Sequence, residues 1–186
     1  MSKTEKQKMI SGELYSAFED ELISERASAR KLFTELNNPG KSTPEARAVL
    51  LKKLFGVCGK NVWIESPFFC DYGHLISVGD NVFINFNCTI LDAAEVIIGN
   101  DVLLGPNVHI YSATHPTDST VRAQGLEFAK PVCIEDNVWV GGSVVVCPGV
   151  TIGARTVIGA GSVVTKNLPP DVIAAGNPCR VVKPQG

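Results

Sequence analysis

This 186-residue chain has no close cysteine pair, no apolar run of bilayer length and no excess of either charge. Each absence excludes something. The six cysteines (Cys58, Cys70, Cys88, Cys133, Cys147, Cys179) stand far apart, mostly among apolar neighbours and without CxxC spacing. Neither a disulfide framework nor a cysteine zinc site is therefore expected, and they read as small core residues. Seventeen Lys+Arg against 19 Asp+Glu give a net charge of −2, which offers nothing to nucleic acid or an anionic membrane and leaves small molecules as the expected partners. No stretch approaches the roughly 18 apolar residues of a spanning helix, and MSKTEKQKMI is too polar for a signal sequence. A reducing cytoplasm is the expected location. The chain is long enough for one sizeable core, and with 45% hydrophobic residues it should fold without metal or disulfide support.

What is there divides by period. Residues 1–56 read as a helical cap: Ser2-Lys3-Thr4-Glu5 has capping-box spacing, and Leu22, Arg26, Ala29 and Phe33 recur at three- and four-residue steps. Thr43-Pro44 looks like an N-cap followed by proline at the first helical position, Asn38-Pro39-Gly40 breaks the chain before it, and Gly56 stops the last helix. Residues 57–186 read as the second domain, and from Ile76 onward its period is neither that of a helix nor that of a strand.

Counted in sixes, the second region falls into register. Val78, Ile84, Ile90, Ile98, Leu104, Ile110, Ile134, Val140, Val146, Ile152, Ile158 and Val164 each open a hexad, with a two-residue offset at Val96-Ile97. The fifth position is mostly small: Val82, Cys88, Ala94, Val102, Val108, Thr114, Val138, Val144, Val150, Thr156, Ser162 and Leu168. Large first and small fifth residues suit a coil of triangular section, the first stacking inside each flat side and the fifth filling the corners. Gly99-Asn100, Gly105, Gly141-Gly142, Gly153 and Gly159, at second and third positions, are expected to supply the positive φ of the turns. Three sides per coil predict three hexads per turn and a left-handed parallel β-helix, the hand being that of known hexapeptide solenoids.

Residues 116–131 interrupt the hexads with Pro116, Gly125 and the charges Asp118, Arg122, Glu127 and Lys130, while the phase survives because Ile134 lies a whole number of hexads after Ile110. An insertion of this kind leaves a solenoid as a loop at one corner, where functional residues collect. His115 immediately precedes it. A ring there lies outside the core. Either it is a solvated or carbonyl-bonded turn residue, or it is a general base, a task suited to an imidazole with its ordinary pKa near ~6.5. As a base it would accept a hydroxyl proton on one nitrogen while a carbonyl fixed the other.

GELY (12–15), PFFCDYG (67–73), NFNC (85–88), ILD (90–92), GPNVHIYSATHP (105–116), DNVWVGG (136–142), PGVTIG (148–153), VIGAGSVVTK (157–166) and AAGNPCRV (174–181) together resemble the maltose and galactoside O-acetyltransferases, a branch of the hexapeptide-repeat acyltransferases. The likeness runs from about residue 9 to the C-terminus. It implies a homotrimer with active sites between adjacent prisms, acetyl-CoA in a groove along the coils, a sugar hydroxyl as acceptor and no metal. Carried over residue by residue, it makes His115 the general base and places Asp71 and Asn85 at the acceptor or reacting centre. Gly142 and Ala160 would let the pantetheine arm approach the backbone, and Thr165, Lys166, Arg180 and Lys183 would meet the pantetheine and phosphate end.

The chain also departs from that pattern. Ile134-Glu135 stands where relatives carry Ile-Gly, and Phe83 lacks the hydroxyl of a tyrosine found in some members. Ala17 offers no carboxylate to close the sugar pocket, leaving Glu19 or Asp20 as substitutes. Two rivals share the architecture. One is a hexapeptide acetyltransferase acting on an antibiotic or another small-molecule hydroxyl. The other is a γ-type carbonic anhydrase, in which three histidines hold zinc between subunits; His74, His109 and His115 are this chain's only three. His109 and His115 share the sixth hexad position, which would set them at adjacent corners of one coil.

Overall fold

In the computed structural model, which describes residues 2–38, 40 and 43–186, the hexads wind into a parallel β-helix of three faces. The first face stacks strands Val57–Cys58, Ile76–Val78, Val96–Ile98, Val132–Ile134 and Thr151–Ile152. The second stacks Trp63–Ile64, Phe83–Ile84, Leu103–Leu104, Trp139–Val140 and Val157–Ile158, then Val172–Ala175 and the antiparallel Arg180–Pro184. The third stacks Phe68–Cys70, Cys88–Leu91, His109–Tyr111, Val145–Val146 and Val163–Val164. First-position side chains are the interior, with Ile84, Ile110, Ile134, Val140, Val146, Ile152 and Val164 fully excluded from solvent. Fifth-position residues are buried beside them, Thr114 being the half-exposed exception.

The coil length is not uniform. Cys58 pairs with Val78, Ile64 with Ile84 and Cys70 with Ile90, so each early turn is longer than three hexads. The turn from Ile134 to Ile152 has the expected length, and the next, in which Ile152 bridges Leu168 and Ile158 pairs with Ala174, is shorter. The additional residues lie between Cys70 and Val78, and again between Ile90 and Ile98, where the third face turns back to the first. This third corner is therefore wider in the early coils.

The sixth position also differs from expectation: it sits in the strands, facing out, so His109 lies on the third face between Thr89 and Val145 and at no corner. On the second face the same position makes an outward apolar ladder, Trp63–Phe83–Leu103–Trp139, with Leu103 and Trp139 about half exposed.

Within the hexads positive φ falls on the fourth position, Gly149 and Gly161 included, not on the glycines at the second and third positions. Asn81, Asn107, Asn137 and Ser143 take φ of 58°, 58°, 59° and 59°, a region Asn and Asp tolerate because their short side chains bond locally. At one corner they also bond each other, with Asn61 Nδ2 donating to Asn81 Oδ1 and Asn81 Nδ2 to Asp101 Oδ1, both at 3.0 Å. The second-position glycines serve close approach of coils. A Cβ on Gly141 would lie 2.7 Å from the Ala160 nitrogen and 2.8 Å from the Ile158 oxygen. Because both obstacles are backbone, Gly141→Ala is expected to cost about 1–3 kcal/mol, a fall of several degrees in Tm by calorimetry. An unchanged Tm would show that the coils can spread. Glu135, in the same hexad position, is accommodated: its Oε2 accepts the Ala154 N–H at 2.8 Å in the next coil.

The segment ahead of the β-helix packs as two pieces. Helices α2 (Asp20–Leu36) and α3 (Pro44–Leu54) close the end of the prism, with Ala29, Phe33, Leu36, Leu51 and Leu54 continuous with its core. Thr43 caps α3 with Pro44 in its first turn, and α3 ends at Leu54 just before Gly56. The expected break at Asn38-Pro39-Gly40 includes Pro39, which lies outside the described residues. Arg47, 9% exposed, donates to the Leu36 and Ile64 carbonyls, both at 2.6 Å, joining α2 to the first coil. Helix α1 (Glu5–Ile10) starts later than its sequence signal: the capping box is Thr4 with Gln7, not Ser2 with Glu5. With strand Tyr15–Ser16 it forms a separate side cluster of Met9, Tyr15, Ala17 and Leu22 against Tyr72, Ala93, Ala94 and Ala129. No helix among the described residues is long and apolar enough to cross a membrane.

Candidate active site

The insertion at the third corner is a hairpin. Strand Ala113–Thr114 pairs antiparallel with Leu126–Ala129, which pairs in turn with Tyr15–Ser16 of the N-terminal segment, Tyr15 opposite Glu127. Its tip is the short helix α4 (Ser119–Arg122), capped by Asp118 through the Thr120 and Val121 N–H groups. Arg122 then reaches back to the carbonyls of Pro116 and Thr117 at 2.9 and 3.0 Å. The chain leaving His115 is thus pinned on both sides.

His115 itself is exposed, at the mouth of a cavity of about 410 Å³ lined by Thr114, Pro116, Phe128, Lys130 and Pro148. Among the described residues its ring makes no hydrogen bond within the chain. The carbonyl expected to fix its second nitrogen is not found among the described residues, which leaves both nitrogens to meet a ligand.

Asp71 lies on the same corner in an earlier coil. Burial pushes its carboxyl up from the usual range, Arg26 pulls it down, and the charge of Glu127 pushes it up again. Its carboxylate accepts no hydrogen bond from the chain among the described residues and stays available to a ligand. Arg26 donates instead to the Tyr72 hydroxyl at 2.7 Å and to the Ala17 carbonyl at 2.6 Å. Ala17 is buried, and neither suggested substitute for its missing carboxylate reaches inward: Glu19 and Asp20 are exposed at the start of α2.

The carboxylate that does arrive is Glu127 of the hairpin, which accepts from the Tyr15 hydroxyl at 3.3 Å. Burial, with Glu127 next, drives the Tyr15 phenol far above its ordinary value and keeps it a donor. The residues alone did not single out Glu127, Arg26 or Asp92. A charged Arg26 inside the otherwise apolar Leu22–Ala29–Phe33 series was the available signal.

Asn85 stands elsewhere, at the second corner where the second face turns into the third. Its Oδ1 accepts the N–H of the following Phe86 at 2.7 Å, and its Nδ2 donates to nothing within the chain among the described residues. Down that corner follow Gly105-Pro106, Gly141-Gly142 and Gly159-Ala160, each pair in the same hexad positions as Asn85-Phe86. A Cβ on Gly142 would come 3.2 Å from the Pro106 oxygen, so this glycine too serves the close approach of successive coils. Thr165 and Lys166 return to the third corner. Arg180 and Lys183 lie on the last strand, opposite Ala175 and Ile173, exposed at the end of the second face. None of the three cations is ion-paired among the described residues.

One chain therefore gathers His115 and Asp71 at one edge of the prism, with Thr165-Lys166 further along it, and sets Asn85, Gly142 and Ala160 along another. The width of the third face separates them. The three histidines do not converge either: His74 faces Glu25 at 3.8 Å, His109 faces Tyr111 across the third face, and His115 stands on the hairpin.

The chain was compared with known proteins. Residues 8–59 match the maltose acetyltransferase hexapeptide capping motif, and residues 134–166 the bacterial transferase hexapeptide repeats. The chain is 42% identical to the galactoside O-acetyltransferase of Escherichia coli over 95% of its own length and 87% of that protein's. It superposes on the crystal structure of a maltose O-acetyltransferase from Clostridium difficile with a TM-score of 0.97 at 48% identity, covering all of both chains. A hexapeptide-repeat acetyltransferase of Vibrio cholerae, solved with acetyl-CoA, superposes with a TM-score of 0.90 at 41% identity, again over both full chains.

Proposed function

The chain belongs to the maltose and galactoside O-acetyltransferase family, and from that premise we propose that it transfers the acetyl group of acetyl-CoA to a sugar hydroxyl in the cytoplasm, with His115 as general base. The observation that carries the reading is the imidazole of His115, unbonded among the described residues and followed by a chain that Arg122 holds, at a cavity on the corner that also carries the Asp71 carboxylate. His115 takes the proton from the acceptor hydroxyl as that oxygen attacks the thioester carbonyl. The tetrahedral oxyanion collapses with loss of the CoA thiolate, so no acyl-enzyme is needed. Asp71 accepts from another hydroxyl of the sugar and orients it.

The split of candidate residues between two edges fits a homotrimer in which each site joins the third corner of one copy to the second corner of the next. The outward ladder Trp63–Phe83–Leu103–Trp139 runs beside the Asn85 edge and gives the neighbouring copy an apolar surface to cover. Acetyl-CoA would lie along this second corner, past Gly142 and Ala160. The unpaired Lys166, Arg180 and Lys183, with Thr165, would receive its pantetheine and phosphate end.

The test is thiol release from acetyl-CoA against glucosides, galactosides, maltose and chloramphenicol. Turnover is expected with a sugar. Release with chloramphenicol alone would favour the antibiotic-acetylating reading, and release with none would sink the substrate assignment.

A further inference from the structure

At the third corner two successive coils turn backbone N–H groups inward, and each caps them with a buried side chain. The later coil uses Ser112, whose Oγ accepts the Ala94 N–H at 2.9 Å and donates to the Leu91 carbonyl at 2.7 Å, so a neutral hydroxyl is fully used. The earlier coil uses Asp92, wholly excluded from solvent. Its Oδ1 accepts the Asp71 and Tyr72 N–H groups at 3.0 and 2.9 Å, while its Oδ2 is buried with no partner. Capping alone does not require a carboxylate, since Ser112 manages without one. A buried carboxyl with one oxygen unpartnered calls for another role. What this cap holds is the backbone of Asp71.

We propose that Asp92 is a positioning residue of the acceptor site, holding Asp71 from beneath and, through its own charge state, setting how firmly Asp71 takes a sugar hydroxyl. This rests on Asp71 being the acceptor-binding carboxylate. Burial pushes Asp92 up to about 7, against the Tyr72 N–H, with the Asp71 charge adding to the rise. The other groups around the pair act on it from each side. Cys70 and Tyr72 belong to the coil of Asp71; Arg26 and Arg30 of α2 hold Asp71 down, Glu127 of the hairpin pushes it up, and Tyr15 of the N-terminal strand lies beside Glu127. Below about 7, Asp92 is neutral and adds no charge beneath Asp71. Above it, a second negative charge lies beneath Asp71 and repels that carboxylate from the place the neutral cap gives it, so acceptor binding weakens.

The same titration bears on stability. The folded-state value is raised above the ordinary 3.8, so the stabilising contribution of the neutral carboxyl is complete below that value and lost as pH climbs through about 7.

The experiment measures KM for acceptor and for acetyl-CoA, together with Tm, from about pH 5.5 to about pH 8.5 in wild type, Asp92→Asn and Asp92→Ser. Asn keeps the accepting oxygen and removes the charge; Ser copies the cap of the next coil in case Asn fails to fold. The wild-type acceptor KM is expected to rise severalfold across neutrality while that of the variants stays flat, with acetyl-CoA KM following one course in all three proteins. The Tm advantage of Asp92→Asn over wild type should widen as pH rises toward about 7 and stay constant above it. A variant whose acceptor KM climbs in parallel with wild type reduces Asp92 to a structural cap and overturns the proposal, as does a Tm gap independent of pH. If wild type acetylates no sugar, the functional reading falls instead, and the Tm gap alone decides whether the buried charge exists.

Discussion

His115→Ala is expected to lower kcat by about 10²- to 10⁴-fold, which is about 3–5 kcal/mol of barrier, with Tm and acetyl-CoA KM close to wild type. The stability half of this result follows from position. The ring lies outside the prism core and bonds to nothing in the chain among the described residues, and the hairpin beside it is held by Arg122, Asp118 and strand pairing, none of which uses the imidazole. The rate half follows from chemistry: a sugar hydroxyl is a poor nucleophile until its proton is removed, whereas the departing thiolate needs no acid. Loss of the base therefore falls on the attack step. The measurement is thiol release under saturating substrates, with unfolding followed on the same samples. A loss smaller than tenfold would show that another group takes the proton, and His115 would revert to a turn residue. Partial recovery with added imidazole would locate the deficit in the missing ring.

The repeat was legible because its cause is local: an aliphatic residue at every sixth position is what a stacked interior demands, and Ile84, Ile110 and Val146 take those places in the structure. Less legible was anything set by contact between coils. Gly141 and Asn137 both sit at a corner, yet one is required by the backbone of the next coil and the other by its own φ, and only the coordinates separate the two causes. The longer early coils were hidden for the same reason, since an offset in phase does not tell which corner absorbs it. At the site, His115 stood out beside a proline and an insertion. Glu127 did not, because its neighbours in sequence give no reason to expect the distant Tyr15 as its partner. Asp92 read as part of a motif, and its unpartnered oxygen became visible only once the coil of Asp71 lay over it.

Mixing two crippled variants is expected to restore activity that neither has alone. In Asn85→Ala the amide whose Nδ2 is left free by the Oδ1–Phe86 contact is removed, a loss of about 10²-fold in kcat if it serves the reacting centre as an anion-stabilising donor. His115→Ala is impaired from the other edge. Within one chain these residues stand at different corners of the prism, separated by the strands of the third face, so a site that uses both must draw them from two copies. When the two variants are unfolded together and reassembled as trimers at equal ratio, an intact pairing needs an unaltered hairpin from one copy and an unaltered second corner from its neighbour. Each is present half the time, so about a quarter of the sites recover. Thiol release should then reach about a quarter of the wild-type rate, while each variant reassembled alone stays at its own low level. A site built within one chain forbids this outcome, since every chain in the mixture carries one defect. Reassembled trimers no faster than their parents would therefore place Asn85 and His115 in separate sites and dissolve the intersubunit arrangement.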